Sequence, residues 1–555
     1  MTTEFQQAGG ALTDGFVPFP ADRAEVYRRA GYWTGDRLDS LLRDAAAARP
    51  DKPAVLDAAG GHTFAELDAL ADRVAAALAD LGVAPGDRVL LQLPNSTRFA
   101  VAFFGLLRAG AVPVLCLPGH RAAEMRHFAA VSGAVALIIP DTAQGFDFRE
   151  LADTLLAEQP TLRHVVVDGE IGSRGSAFVP FSTLTGFAGP ALPPPPVDTA
   201  APALLLVSGG TTGLPKLIAR THDDYVYTAR AAARAYGMTD ADVYLVALPA
   251  GHNFPLGCPG MLGAMSVGAT TVFTADPSPE AVFPLINRHR VTVTGLVNAL
   301  AKLWAQACEW EPEPPRTLRV VQVGGSRMLP EEARFILERL TPGMSQIFGM
   351  AEGMLNFTRP GDPVEVVVNT QGRPMSPHDE LRVVDEQGND VPPGVEGEIL
   401  VRGPYTINGY YRDPAANARA FTADGFYRTG DRGRVFTDGP AAGYVEVTGR
   451  IKDVIHRGGE TISATDLEDH LLTHPSIYAA AAVPLPDEYL GEKICAAVVF
   501  NGPRIDLAEL NGYLDERGVA KHARPDVLVP MPSLPLTAVG KVDKKRIVEQ
   551  LTAGA

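Results

Sequence analysis

Cysteine is scarce: 4 residues in 555, at Cys116, Cys258, Cys308 and Cys495, with no C-x-x-C pair. That spacing excludes a disulfide framework and a zinc ribbon. No run of about 18 apolar residues is present, so no segment reads as a membrane span. Basic residues are outnumbered, 49 Lys+Arg against 65 Asp+Glu for a formal charge of −16. Phosphate backbones are bound by clustered Lys and Arg, so a nucleic-acid partner is not expected. The first residues, MTTEFQQAGG, lack a basic stretch followed by an apolar one, and no secretory leader is read there. Repeats at solenoid or propeller period are absent as well. What remains is ordinary soluble composition, 46% apolar and 21% charged, expected in the cytoplasm and away from membranes. At roughly 100–200 residues per domain, the length asks for several cores, or a large unit with a smaller one.

From about residue 36 helical and strand patterns alternate. Residues 64–82 place Leu67, Leu70, Ala71, Val74, Leu78 and Leu81 at helical spacing before Gly82. Strands are predicted at 88–94, 111–117 and 135–140, with helices at 99–110 and 120–133 between them. This alternation predicts parallel β-α-β layers with helices on the sheet faces. ALPPPPV (191–197) is a stiff connector. After residue 355, turn pairs such as DEQGNDVPPG separate short alternating strands, which predicts a β-rich subdomain. Beyond GRIKD (449–453) the pattern changes again to a helix in ATDLEDHLLTHP, a strand at 494–500 and a helix in IDLAELNGYLDERG. The expected organisation is a large α/β unit over 1–450 and a small, mobile α+β unit over 451–555.

Chemistry concentrates in a few stretches. SGGTTGLPK (208–216) follows an apolar strand, and its small residues expose backbone N–H groups as an anion nest, with two threonine hydroxyls and Lys216 adding donors. A plain Gly-rich hairpin is the bland alternative. It is not a Walker A loop, because Leu214-Pro215 separates Gly213 from Lys216. The nucleophile elbow G-x-S-x-G of α/β-hydrolases is missing too. FGMAEG (348–353) sets the lone carboxylate Glu352 where it could ligate Mg²⁺. YRTGD (427–431) offers Asp431 for paired ribose hydroxyls, GR (449–450) a charged donor, and PLTAVGKVDKK (535–545) presents Lys541 in a loop.

In this order, SGGTTGLPK, QIFGMAEG, YRTGD, GRIKD and PLTAVGKVDKK resemble the adenylate-forming superfamily over roughly residues 30–550. GHNFPLGCPG (251–260), FGMAEGMLNFTR (348–359), VNTQGRPMSPHDE (368–380) and RGPYTINGYYR (402–412) look like its stand-alone aryl-acid–AMP ligase branch. The resemblance implies attack of a carboxylate on the α-phosphate of Mg·ATP, then rotation of the C-terminal unit and transfer of the acyl group to a phosphopantetheine thiol. It implies that Ser208, Gly209, Gly210, Thr211, Thr212 and Lys216 hold the β- and γ-phosphates. Gly325, Ser326, Phe348, Met350 and Ala351 would line the adenine side, and Asp431 with Arg450 the ribose. Catalysis falls to Lys541, to Glu352 as the Mg²⁺ ligand and to His252. Lys541 would bridge substrate carboxylate and α-phosphate, countering charge as it develops. Lys452 matches the hinge, and Gly458-Gly459 the rim of the pantetheine tunnel.

The acid pocket implied by the same likeness is Asn253, Phe254, Gly257, Cys258, Ile347 and Gly349. In this branch the Asn meets the ring hydroxyl ortho to the carboxylate, and an amide can both donate and accept. Dihydroxybenzoate-type relatives usually carry Ser at the position of Cys258 and Val at that of Ile347. A thiol is a weak donor, so a second hydroxyl buried there would cost roughly 1–3 kcal/mol, and salicylate is the expected acid. Gly257 stands where relatives often have Ser or Ala, which implies a slightly roomier pocket open to substituted salicylates. TDGPAAGYVEV (437–447) looks a few residues longer than usual, as a surface loop that leaves Asp431 and Arg450 in place. The competing readings are 2,3-dihydroxybenzoate as the acid, an aryl-CoA ligase, and a nucleotide-binding protein without catalysis. No carrier-like segment follows residue 550, so the expected partner is a separate aryl carrier protein.

Overall fold

A computed structural model describes residues 12–209, 215–458, 460–538 and 540–553. The α/β class is as expected, and two large, mostly parallel sheets build the N-terminal part. The seven-stranded sheet centres on Arg88–Leu91, flanked in parallel by Val112–Leu115 and Ala136–Pro140. The nine-stranded sheet runs Val243–Val246, Val293–Val297, Val320–Gly324 and Met344–Met350 side by side in parallel, with Gly353–Phe357 turned back antiparallel beyond them. Strand runs this continuously apolar belong in sheets covered on both faces.

Local sequence explains the elements that separate these sheets. The helix Phe64–Asp80 starts at Thr63, whose hydroxyl accepts from the Glu66 amide while the Glu66 carboxylate accepts from the Thr63 amide. This reciprocal cap satisfies two backbone donors that a helix start leaves free. The helix Thr97–Arg108 is buried on all sides. It packs against Pro53–Asp57 of one sheet and Val112–Leu115 of the other, which is why its sequence has no polar face.

A four-stranded antiparallel sheet follows, from Glu380–Val384 through Gly397–Arg402 and Tyr427–Val435 to Val445–Arg450. The C-terminal part sets Val454–Arg457, Glu460–Ser463, Ile477–Asp487, Gly491–Phe500 and Val527–Pro530 in one sheet. The helices Ala464–Leu472, Leu507–Glu516 and Lys544–Ala553 complete it. This part is closed onto the first. Arg327 pairs with Asp469, Lys302 lies 5.3 Å from the Tyr478 ring centroid, and a Cβ on Gly119 would meet Ala538 at 3.2 Å.

Candidate active site

The strand Pro202–Val207 runs into Ser208 and the exposed Gly209. The Ser208 amide donates to the Lys216 carbonyl and the Lys216 amide to Ser208 Oγ, both at 2.9 Å, which closes the base of the 208–216 loop. Gly210, Thr211 and Thr212 lie outside the described residues. Lys216 Nζ sits 5.0 Å from the centroid of Tyr410, a cation–π contact. The Tyr410 hydroxyl donates to Glu352 Oε1 at 2.8 Å and lies 3.0 Å from the Tyr427 hydroxyl. One ring therefore ties the Lys216 cation to the buried Glu352 carboxylate. Both tyrosines stand inside motif segments, RGPYTINGYYR and YRTGD, whose glycines and charges draw the eye first, so their joint role shows only in the fold.

Asp431 and Arg450 face each other across antiparallel strands, with Arg450 Nε donating to Asp431 Oδ1 at 2.9 Å. Burial pushes the Asp431 carboxyl up, against the pull of Arg450 and Lys541. The extended 437–447 turn contains a single 3₁₀ turn, Gly439–Ala441, and leaves this pair intact. Lys541 follows Gly540, whose φ of +78° is a glycine conformation. Thr537 holds the turn: its amide donates to the Lys541 carbonyl at 2.7 Å, and its carbonyl accepts from Gly540 at 2.9 Å.

The Lys541 side chain enters the site so far that a Cβ on Gly325 would lie 3.5 Å from its Cε. Burial lowers the Lys541 ammonium below its usual range and Arg450 adds to this, while Asp431 and Glu352 oppose it. Beside Gly325, Asn298 Nδ2 donates to the carbonyls of Ser326 (3.3 Å) and Arg327 (2.8 Å) and fixes that loop. Neither Asn298 nor Arg327 stands out in the sequence, since each acts through a loop remote from the motifs.

His252 caps the short helix Asn253–Gly257, its Nδ1 accepting from the Phe254 amide at 3.3 Å. Burial, helped by Lys541, lowers it to about 4, so it is a neutral imidazole at physiological pH. The next residue, Asn253, is buried among Tyr225, Cys258 and Met350. Its Oδ1 accepts from the Tyr225 hydroxyl at 2.8 Å, and its Nδ2 lies 3.4 Å from both Cys258 Sγ and the Met350 carbonyl. The Cys258 thiol, raised by burial to about 12, is un-ionised and points its proton at the Asn253 carbonyl, 3.4 Å away.

Ile347 and Phe254 are buried, Phe348 and Met350 are half-buried, and Gly349 is exposed at the end of the same strand as Ile347. Gly257 corrects an expectation. A Cβ there would lie 3.0 Å from the Tyr225 hydroxyl, so the space freed by the glycine is taken up by Tyr225 and does not enlarge the acid pocket.

Tyr225 belongs to the helix His222–Ala235, and that helix is locked by Arg220. Arg220 is 1% exposed and ion-pairs with the fully buried Asp224 at 2.8 Å. It donates to the carbonyls of Ala351 (3.0 Å) and Tyr405 (3.1 Å), and lies 4.7 Å from the Tyr225 ring centroid. The surroundings of Asn253 and the Glu352 loop thus share one buried guanidinium, which the sequence did not reveal.

Ala351, half-buried, carries the carbonyl that Arg220 holds. Lys452 is exposed beside Asp453, whose carboxylate pairs with Lys544 at 2.5 Å. The Gly458 amide donates to Leu490 at 2.9 Å, and Gly459 lies outside the described residues. Among the described residues no grouping of three or more His, Cys, Asp or Glu is placed to hold a metal. A Mg²⁺ that arrives with nucleotide phosphates needs only one or two protein carboxylates, and Glu352, with one oxygen engaged by Tyr410, fits that requirement. No helix among those residues is long and apolar enough to cross a membrane.

Comparison with known proteins agrees with this geometry. The family described as AMP-binding enzyme matches residues 42–411, and the AMP-binding enzyme C-terminal domain matches 466–541. A salicyl-AMP ligase / salicyl-S-ArCP synthetase of Mycobacterium tuberculosis is 64% identical, over 97% of this chain and 94% of that protein. A 2,3-dihydroxybenzoate-AMP ligase of Bacillus subtilis is 44% identical over 98% of each. The apo structure of Mycobacterium smegmatis MbtA superimposes with a TM-score of 0.76 at 64% identity, over 97% of this chain and 99% of that one.

Proposed function

The chain belongs to the AMP-binding enzyme family, and from that premise we propose that it is a cytoplasmic aryl-acid–AMP ligase that activates salicylate and passes it to a separate aryl carrier protein, for a siderophore or other nonribosomal peptide. In the first half-reaction a carboxylate oxygen bonds to the α-phosphorus of ATP, and the bond to the β-phosphate breaks to release pyrophosphate. In the second, the pantetheine sulfur bonds to the acyl carbon and AMP leaves.

Lys541, which reaches Gly325 and feels the charges of Asp431 and Glu352, would meet charge building on the α-phosphate. Asp431 and Arg450 would hold the ribose. Ser208–Thr212 and Lys216 would hold the terminal phosphates, and Glu352 the magnesium ion, whose chemistry is to neutralise phosphate charge. Neutral His252 orients the Asn253 helix without adding positive charge. Residues 1–450 would bind both substrates, while 451–555 turns about Lys452 to bring Gly458-Gly459 to the pantetheine arm.

The observation that carries salicylate over 2,3-dihydroxybenzoate is the state of Cys258. Its proton is committed to the Asn253 carbonyl and its sulfur faces Asn253 Nδ2, so a 3-hydroxyl brought beside it would find only weak partners. At about 1–3 kcal/mol for an unsatisfied polar group, the preference is on the order of five- to a hundredfold.

Acid-dependent ATP–pyrophosphate exchange with salicylate, 2,3-dihydroxybenzoate, benzoate and anthranilate tests this. Salicylate leading is the expected result, and 2,3-dihydroxybenzoate ahead would sink the Cys258 argument. Thioester formation on a phosphopantetheinylated carrier, compared with free coenzyme A, tests the acceptor.

A further inference from the structure

Asn253 carries a side-chain amide with one donor end and one acceptor end, and the structure determines which way round it sits: Oδ1 takes a short bond of 2.8 Å, whereas Nδ2 has only two long contacts, 3.4 Å to Cys258 Sγ and to the Met350 carbonyl, and keeps donor capacity for a substrate oxygen. The Met350 carbonyl can only accept, and it faces Nδ2 at 3.4 Å. On the other side the Tyr225 hydroxyl reaches Oδ1 at 2.8 Å, so it must donate. Burial pushes the Tyr225 phenol well above its ordinary range, so its proton is always present. Turning the amide over would set two oxygens against each other at Met350 and take from the buried Tyr225 O–H the oxygen to which it donates. The Tyr225 ring cannot easily move away, since Arg220 lies 4.7 Å from its centroid and its hydroxyl occupies the room that a Cβ at Gly257 would need.

An ortho-substituted benzoate discriminates between the two amide orientations. In salicylate the hydroxyl proton is drawn to the neighbouring carboxylate, so the phenolic oxygen turns its lone pairs outward and asks for a donor. In anthranilate one amino proton makes that internal bond and the other points outward, asking for an acceptor.

Resting on the proposed aryl-acid function, we propose that Tyr225 is a specificity-determining positioning residue: by donating to Asn253 Oδ1 it locks the amide with its N–H₂ toward the substrate, and so selects an ortho oxygen over an ortho amino group. Tyr225 itself need not touch the acid. Polar sites of this kind reject the wrong partner far more strongly than apolar pockets reject a wrong size.

The test is Tyr225→Phe, assayed by ATP–pyrophosphate exchange as kcat/KM for salicylate, anthranilate and benzoate. Loss of the lock is expected to lower the salicylate-to-anthranilate ratio at least about tenfold, the equivalent of about 1.4 kcal/mol. Benzoate presents no ortho group and reads the integrity of the fold; it is expected to fall by no more than about threefold, on the scale of one net hydrogen bond or less. Gly257→Ala, which crowds the Tyr225 hydroxyl, should move the ratio in the same direction. An equal fall for all three acids in Tyr225→Phe would mean a purely structural role and overturn the proposal. So would an unchanged salicylate lead. If the unsubstituted enzyme fails to favour salicylate over benzoate, the functional reading falls first, and that outcome is read before any variant is made.

Discussion

Replacing Arg220 with Met removes a guanidinium that is 1% exposed and bound to four partners: Asp224, Thr228, and the carbonyls of Ala351 and Tyr405. Methionine is close in length and apolar, so the cavity left is small and the electrostatic loss dominates. Asp224 has no solvent exposure, and without Arg220 its charge is uncompensated. Breaking a buried pair from one side costs about 3–5 kcal/mol, a large part of the roughly 5–15 kcal/mol that holds a typical protein folded. Tryptophan fluorescence reads this cleanly, because Trp33, Trp304 and Trp310 all lie on the N-terminal side. A urea midpoint shift on the order of 1 M is expected.

Adding Asp224→Asn to Arg220→Met supplies the decisive comparison. It removes the stranded charge while keeping a side-chain oxygen for the Thr221 amide and hydroxyl, which Asp224 now accepts at 2.8 and 3.0 Å. The double variant should recover about half of the loss, a coupling above about 1.5 kcal/mol. An Arg220→Met cost below about 1 kcal/mol, or a second cost simply added to the first, would refute the view that this pair anchors the site.

Three other outcomes follow from the same geometry. Tyr410→Phe keeps the ring beside Lys216 and deletes the bond to Glu352, so the Mg²⁺ concentration for half-maximal exchange should rise at least about tenfold, on the scale of a lost charged hydrogen bond of about 1.5–3 kcal/mol, with salicylate KM unchanged. Because Lys541 is lowered by burial and by Arg450, its cationic form is present at low pH and lost as pH rises. The alkaline limb of kcat/KM should therefore fall with a midpoint below the ordinary 10.5 of a lysine, and Lys541→Arg should move that limb beyond the accessible range. Cys258→Ser gives a 3-hydroxyl a stronger partner, and competition assays should show 2,3-dihydroxybenzoate gaining on salicylate by roughly tenfold.

Periodicity located most of the fold. The helix expected at 64–82 is Phe64–Asp80, ended by Gly82 with φ +82°, and the one expected at 120–133 is Ala122–Ser132, ended by Gly133 with φ +63°. Capping chemistry and left-handed glycines are local, so one stretch of sequence suffices to read them. The strand Ile477–Asp487 was not legible for the opposite reason. IYAAAAVPLPD is rich in alanine, a helix former, and has two prolines, yet it pairs along its length with Gly491–Phe500. Tertiary pairing overrode local preference there.

The same division runs through the site. Glu352, Asp431, Arg450 and Lys541 could be named in advance because each stands in a motif whose composition folding alone does not require. Arg220, Tyr225, Asn298 and Tyr410 could not, since each acts through a partner remote in sequence: Arg220 reaches Tyr405 across 185 positions and Tyr410 reaches Glu352 across 58. A motif shows which groups could touch substrate, whereas the groups that aim them are visible only once the chain is folded. For Asn253 this difference has chemical content. The sequence leaves the orientation of its amide open, and the fold, through one tyrosine hydroxyl and one carbonyl, sets Oδ1 toward Tyr225 and Nδ2 toward Met350.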